Sequence, residues 1–272
     1  MKHQTDPDYL QRQAYNDAHD LDVRTHILTH YRAHSQSWYC WLFDQLMLPE
    51  NGRILELGSG PGDLWQQNAD RLPPGWQICL SDLSNGMVQE ARQRLLQSPN
   101  PTAASFALLD TMHLPFADRS LEAVLAFGVL DHLPDGRLAL AEVRRVLRPG
   151  GLFYASAGGQ NHLTQLEALI KPFLPEAQYG GDADRFGLQN GARFLAPFFA
   201  QVEQRPYANK LLFQDPDPIA AYILSEVEVR QQLSASQYSA FQKHLAQELA
   251  RRGKITVTIE KGVFIARTAS LT

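Results

Sequence analysis

The stretch Arg53-Ile-Leu-Glu-Leu-Gly-Ser-Gly-Pro-Gly-Asp63 is the part of this 272-residue chain that decides its fold. A short apolar run, interrupted by Glu56, is followed by glycines at every second position. Such a run predicts a buried parallel strand that ends in a tight turn, with a helix next. Glycine is needed where φ is positive or where a ligand approaches too closely for a Cβ. The turn is therefore a candidate nucleoside-binding loop at the carboxyl end of a strand.

The glycine spacing separates two classes of nucleotide ligand. The dinucleotide fingerprint requires G-x-G-x-x-G, whereas the glycines here follow G-x-G-x-G, with Glu56 two residues before the first. A carboxylate at that point favours a cationic ligand over an anionic pyrophosphate. The pattern E-x-G-x-G-x-G resembles the first motif of class I S-adenosylmethionine-dependent methyltransferases, whose cofactor carries a sulfonium and an amine. The resemblance extends over roughly residues 53–157.

Polar residues also follow the next predicted strands. Asp82 ends the second strand, 20 residues after Gly62, where a carboxylate can accept hydrogen bonds from a ribose diol. The alternative role for Asp82 is to cap the following helix, but Ser84 is better placed for it. Asp110 follows the third strand and offers an acceptor for an exocyclic amine.

The resemblance adds roles at these strand ends. It implies that Asp110 meets the adenine amino group, that Thr111 and Met112 cover the ring, and that main chain at Phe127 and Gly128 contacts the methionine moiety. The full cofactor-binding set that we expect is Glu56, Gly58, Ser59, Gly60, Asp82, Leu83, Met87, Asp110, Thr111, Met112, Phe127 and Gly128.

The fold that the resemblance implies is α/β and Rossmann-like, with a seven-stranded, mostly parallel sheet and helices on both faces. We expect a helical N-terminal lid at 1–48 and a methyltransferase domain at 49–272, with its core at 53–157. Helical insertions are expected at about 160–195, with a loop at Gly180-Gly181, and at 217–252. Two short strands, Lys254–Ile259 and Val263–Arg267, predict a hairpin that turns at Lys261-Gly262.

The N-terminal segment contains three histidines, His26, His30 and His34, at a spacing that places them on one face of a helix. A zinc site of this type needs a further acidic or thiolate ligand, and none follows at suitable spacing. We therefore expect no metal site, and interpret the histidines as a pocket-lining or surface stripe.

Composition disfavours some classes of function. The net charge is −4 and no dense Lys/Arg block occurs, which disfavours a nucleic-acid partner. Cys40 and Cys79 lie among apolar neighbours, as free thiols of a reducing compartment do. The N-terminus lacks an apolar signal core, and no apolar run has the length of a membrane span. We expect a cytoplasmic protein; the sequence carries no signal of its oligomeric state.

The expected activity is transfer of a methyl group from S-adenosylmethionine to an oxygen, nitrogen or carbon nucleophile of a small-molecule acceptor, mainly through positioning and exclusion of water. His132 follows the fourth strand and is the candidate general base, or else a structural histidine. Tyr31 and Trp38 are candidates for the acceptor pocket, or else core aromatics. The alternatives are a non-catalytic S-adenosylmethionine-binding protein and an NAD-dependent oxidoreductase.

Overall fold

The computed structural model describes residues 5–98, 104–177, 179 and 183–270, so the predicted loop at Gly180-Gly181 lies outside the described residues. The strands are β1 Arg53–Leu57, β2 Gln77–Asp82, β3 Ala104–Leu108, β4 Leu121–Phe127, β5 Leu147–Gly158, β6 Gln201–Phe213 and β7 Ile255–Arg267. The helices are α1 Pro7–Tyr9, α2 His19–His30, α3 Trp38–Asp44, α4 Asp63–Gln66, α5 Asn85–Gln97, α6 Gly136–Val146, α7 Thr164–Ile170, α8 Gly191–Leu195, α9 Pro216–Leu224, α10 Val227–Gln232 and α11 Ala235–Arg252. A π-helical turn spans Leu10–Ala14, and 3-10 turns span Ala69–Arg71 and Leu130–His132.

The seven strands form one sheet in the order β3-β2-β1-β4-β5-β7-β6. The first five strands in the chain pair in parallel, and β7 is antiparallel to both β5 and β6. The order reverses at β1, where a crevice forms at the carboxyl ends of the strands. The predicted seven-stranded, mostly parallel sheet is confirmed, and its motif loops all follow strand ends at this edge.

Alternate residues of β1 contribute to two different cores. Leu55 and Leu57 pack with Val143 of α6 in one apolar cluster, whereas Ile54 packs with Leu95 of α5 in another. This alternation is the period-two geometry of a strand that is buried on both faces. The predicted helices on both faces of the sheet are therefore confirmed.

The predicted hairpin at Lys261-Gly262 is wrong. Residues 255–267 form one continuous strand, which pairs with β6 along its whole length. Gly262 is needed here for close packing and not for a turn, because a Cβ on it would lie 2.7 Å from the carbonyl oxygen of Arg205. A lysine-glycine pair between two apolar runs predicts a turn equally well, which is why the sequence pattern misled.

The long strands β6 and β7 extend past the end of β5. Pairing between β5 and β7 stops at Gly158 and Lys261, while β6 and β7 continue as a two-stranded ribbon. Helices α7, α9 and α11 pack on this ribbon in a third apolar cluster, together with part of the N-terminal segment.

The region 217–252, where two helices were expected, contains three helices in the structure. Within the described residues, no helix has the length and apolarity to cross a membrane.

Candidate active site

Glu56 lies in the middle of β1 and is only 3% exposed. Its carboxylate accepts a hydrogen bond from the indole N–H of Trp65. Burial raises the pKa of Glu56 to about 8, against the opposing effect of that hydrogen bond. Among the described residues, no basic side chain forms a salt bridge with Glu56. A cationic ligand group would therefore lie beside a buried acid that has no protein counter-ion, and would favour its ionised form.

The glycine loop requires its glycines for backbone geometry and space. Gly58, Gly60 and Gly62 all have positive φ, at 60°, 54° and 85°. A Cβ on Gly58 would lie 2.5 Å from Cγ2 of Val129, which follows β4. The loop thus approaches the β4 end too closely for a side chain, and its backbone faces the crevice.

Asp82 connects the end of β2 to the glycine loop. Its Oδ2 accepts a 3.0 Å hydrogen bond from the N–H of Gly60, and its Oδ1 accepts one of 2.8 Å from the N–H of Ser84. Burial raises the pKa of Asp82, and the backbone donors oppose that rise. Ser84 itself caps α5, because its hydroxyl accepts from the N–H of Met87. The capping role thus belongs to Ser84, and each Asp82 oxygen retains a lone pair for a ligand.

Asp110 follows β3 and organises its own loop. Its Oδ1 accepts a 2.9 Å hydrogen bond from the N–H of Met112, and its Oδ2 lies 3.0 Å from Nδ1 of His113. Gly128, after β4, has φ of 71°, and a Cβ built on it would meet no atom within 4 Å. The space beside Gly128 is thus open to a ligand.

These strand ends line one cavity of about 390 Å³. It brings together every residue of the expected cofactor set: Glu56, Gly58, Ser59, Gly60, Asp82, Leu83, Met87, Asp110, Thr111, Met112, Phe127 and Gly128. The other wall comes largely from the N-terminal segment, through Pro7, Leu10, Gln11, Tyr15, Leu21, Arg24, Thr25, Leu28, Trp38 and Tyr39.

Two of the three candidate acceptor residues line this cavity. Trp38 and His132 do, and the Tyr15 hydroxyl lies 3.4 Å from Nε2 of His132. Tyr31 does not: its ring stacks on Phe213, with centroids 5.1 Å apart, in the cluster beneath β6. Tyr31 follows the last residue of α2, and it packs, partly buried, against that apolar cluster.

The three histidines of the N-terminal segment do not share a helix face. Helix α2 ends at His30, so His34 lies outside it, and the rings of His26 and His30 stack at 3.9 Å. In the described part of the chain, no group of three or more His, Cys, Asp or Glu side chains has metal-binding geometry.

Sequence reasoning missed several residues of the cavity. Lys261 lines it from β7 and was assigned to a turn. Arg24 of α2 and Glu226, before α10, line it as a hydrogen-bonded ion pair. His162 and three tyrosines complete this side: Tyr15, Tyr179 and Tyr222. No local sequence pattern could have indicated these residues. They come from five separated segments, which lie together only because the ribbon and the helices pack against each other.

Comparison with known proteins finds a methyltransferase domain in this sequence. Residues 55–155 match a family described as a methyltransferase domain. The chain is 35% identical over 115 residues to the ubiquinone/menaquinone biosynthesis C-methyltransferase of Cupriavidus pinatubonensis, covering 42% of this chain and 46% of that protein. It is 33% identical over 132 residues to the malonyl-[acyl-carrier protein] O-methyltransferase of Geobacter sulfurreducens, covering 48% of each. The chain thus spans about half the length of these curated relatives.

Solved structures share the fold at low identity. The phosphoethanolamine N-methyltransferase 2 of Haemonchus contortus, in complex with S-adenosyl-L-methionine, matches with a TM-score of 0.60 and 19% identity, covering 97% of this chain and 60% of that one. The [4+2]-cyclase SpnF matches with a TM-score of 0.58 and 16% identity over 97% of each chain. Residues 55–155 of this chain thus match a methyltransferase domain, and the solved structures share its fold.

Proposed function

We propose that this protein transfers the methyl group of S-adenosylmethionine to an oxygen, nitrogen or carbon nucleophile of a small-molecule acceptor. The observation that carries the proposal is that all residues of the expected cofactor set line one cavity, whose other wall is largely apolar and aromatic. The first part suits an adenosine and a cationic amino acid, and the second suits a small, flat acceptor.

The residues fit the cofactor that the domain implies. Buried Glu56 has no salt-bridge partner among the described residues, and its ionised form suits a cationic group, whereas a pyrophosphate would oppose that ionisation. Asp82 retains acceptor capacity for a ribose diol, and Asp110 for the adenine amine. The thioether of Met112 suits a purine face, and the open space at Gly128 gives main-chain access to the methionine moiety.

The chain's own contribution to catalysis is positioning. When bound, S-adenosylmethionine supplies an electrophilic methyl group and a thioether leaving group. The N-terminal segment forms a wall of the cavity, and we assign to it the role of a lid that excludes water. His132 accepts the acceptor's proton where the acceptor arrives protonated.

Calorimetric titration of the full chain with S-adenosylhomocysteine tests the cofactor assignment. Tight binding of S-adenosylhomocysteine and none of NADH is the expected result, and the reverse would rule the proposal out in favour of an oxidoreductase. Radiolabelled S-adenosylmethionine with a panel of small acceptors then tests transfer. The SpnF likeness shows that this fold alone does not define a reaction, so binding without transfer to any acceptor class would favour the non-catalytic alternative.

A further inference from the structure

Lys261 places a cation at the acceptor side of the cavity. It pairs in register with Gly158, the last residue of β5, at the point where the β6–β7 ribbon leaves the sheet. On the other edge of β5, Ser156 pairs with Phe127, the last residue of β4. Lys261 thus lies at the ligand edge of the sheet, two residues beyond the level of the β4 end. Its side chain is half-buried, and the residue lines the cavity.

The ammonium group is held by an aromatic face and not by a carboxylate. Nζ lies 4.4 Å from the centre of the Trp38 ring, within the range of a cation–π interaction. Among the described residues, no carboxylate forms a salt bridge with Lys261. Burial lowers the pKa of Lys261 to about 8, with Asp131 opposing the decrease. The group is therefore mostly charged at neutral pH, without a direct counter-ion.

The other basic groups of this side do not compete with Lys261 for an anionic ligand. Arg24, the other strongly basic side chain of the cavity, is already paired with Glu226. His162 is 7% exposed, and burial, assisted by the charge of Lys261, lowers its pKa to about 3. Its Nδ1 accepts a hydrogen bond from the N–H of Glu260, so the neutral ring carries its proton on Nε2. Among the described residues that line the cavity, Lys261 is thus the strongly basic side chain without a salt-bridge partner.

The walls around Lys261 suit a flat, apolar body. The cavity that Lys261 lines has several aromatic residues, of which Trp38 contacts its ammonium group; the others include Tyr15, Tyr39, Tyr179 and Tyr222. Aromatic rings favour offset-stacked or edge contacts with other rings. A single ammonium matches one negative oxygen better than it matches a phosphate dianion, which usually requires several donors.

We propose that Lys261 binds an anionic oxygen of the methyl acceptor, and that the acceptor is an aromatic or similarly planar acid with a carboxylate or an ionised hydroxyl group. This inference rests on the proposed methyltransferase function, because it assigns the acceptor of the same cavity. The ion pair forms inside the cavity, where a charge-assisted hydrogen bond is stronger than in water.

Matched acid and amide probes test this assignment. The full chain, saturated with S-adenosylhomocysteine, is titrated with benzoate, 4-hydroxybenzoate and 4-nitrophenolate, and with benzamide and 4-hydroxybenzamide as neutral counterparts. We expect acids to bind more tightly than their amides, and Lys261→Met to weaken acid binding by about tenfold to a hundredfold. Comparison of the benzoates with 4-nitrophenolate shows whether the bound anionic oxygen belongs to a carboxylate or to an ionised hydroxyl group.

Three controls separate the charge of Lys261 from other effects. Lys243→Met makes the same chemical change on the exposed face of α11 and should leave acid binding unchanged. Lys261→Arg keeps the charge and should retain part of the affinity. S-adenosylhomocysteine binding to Lys261→Met should equal that of the wild type, which also shows that the variant is folded.

The two hypotheses fail in different measurements. If the wild type did not bind S-adenosylhomocysteine, the proposed function would be refuted. The acid titrations can be repeated without S-adenosylhomocysteine, and they would still report on Lys261. The inference is overturned if Lys261→Met binds the acids as tightly as the wild type. It is equally overturned if the amides bind as well as the acids, or if no acid binds the wild type at millimolar concentration.

Discussion

The backbone N–H of Gly60 donates a 3.0 Å hydrogen bond to Oδ2 of Asp82, and so joins the glycine loop to the end of the neighbouring strand. The other carboxylate oxygen of Asp82 accepts from Ser84 at the start of α5. One side chain therefore holds two loops that line the cavity, in addition to the ribose contact that we propose for it. Its removal would affect the ligand and the shape of the site together.

Asp82→Ala should weaken S-adenosylhomocysteine binding by about 1–3 kcal/mol, because ribose hydroxyls and a loop N–H would lose an acceptor. Isothermal titration measures this change directly. Asp70→Ala, at an exposed position of the 3-10 turn after α4, is the matched control and should bind as the wild type does. Equal affinities for Asp82→Ala and the wild type would refute the assignment of Asp82.

Glu56 should make cofactor binding pH-dependent. Burial raises its pKa to about 8, so the carboxyl group is largely protonated at neutral pH. A cationic ligand group beside it favours the ionised form and lowers its pKa, so binding releases a proton. Affinity for S-adenosylmethionine should therefore rise as the pH increases from about 6 to about 8, and level off once Glu56 is ionised without ligand.

Calorimetry in two buffers of different ionisation enthalpy measures the released proton. Glu56→Gln is the matched variant, since it keeps the shape of the side chain and cannot titrate. It should bind more weakly, with less proton release and a flatter pH profile. The role given to Glu56 would be contradicted if the wild-type affinity for S-adenosylmethionine did not depend on pH. It would also be contradicted if Glu56→Gln showed the same pH dependence of affinity as the wild type.

The sequence predicted the strand-end wall of the cavity far better than the wall formed by the N-terminal segment, the ribbon and its helices. Glu56, Asp82 and Asp110 follow or lie in parallel strands, and parallel strands place their carboxyl ends at one edge of the sheet. The local sequence pattern and the sheet topology were therefore sufficient to predict that these three residues lie close together. Lys261 was out of reach because its assignment depends on Gly262, whose role is to let β6 pass closely and not to form a turn.

The aromatic residues illustrate a second limit. Tyr15 and Tyr31 both belong to the helix-rich N-terminal segment, yet Tyr15 faces the cavity while Tyr31 stacks on Phe213. Helical periodicity predicts that a residue is buried, but it does not predict which residues it packs against, because that depends on where each helix ends. Here α2 runs only from His19 to His30, so both tyrosines lie outside it.

His132 gives a prediction about turnover. His132→Ala should lower kcat by about a hundredfold or more for an acceptor that arrives protonated, because the general base is lost. Cofactor affinity should change little, since the assignment places His132 at the acceptor. Single-turnover rates with a responsive acceptor, measured across pH, check both expectations.

Tyr15→Phe tests whether the neighbouring hydroxyl positions the histidine. It removes the hydroxyl group that lies 3.4 Å from Nε2 of His132 and should lower kcat without abolishing activity, because the imidazole would lose a contact that orients it. His19→Ala, at an exposed position of α2, is the control and should leave the rate unchanged. If His132→Ala retained the wild-type rate and pH profile, His132 would be structural and the acceptor would need no base from it.

Arg94 joins the N-terminal segment to the ligand edge of the sheet. From α5, its guanidinium donates to both carboxylate oxygens of Asp22 in α2, at 2.8 and 2.7 Å. It also lies 3.7 Å from Asp63, whose side chain is only 8% exposed. Arg94→Met would leave the Asp63 carboxylate without its cation and release α2 from α5.

Arg94→Met should therefore lower the free energy of unfolding by about 2 kcal/mol, since a largely buried charge loses its partner. It should also weaken S-adenosylhomocysteine binding, because α2 forms part of the cavity wall. Urea titration and calorimetry measure the two effects. Arg92→Met, at an exposed arginine of the same helix, controls for the loss of a positive charge and should change neither stability nor ligand affinity.

Arg94→Lys should recover only part of the stability, because an ammonium cannot reproduce the bidentate contact with Asp22. If Arg94→Met lost stability but kept full ligand affinity, the arginine would support the fold without holding the proposed lid in place.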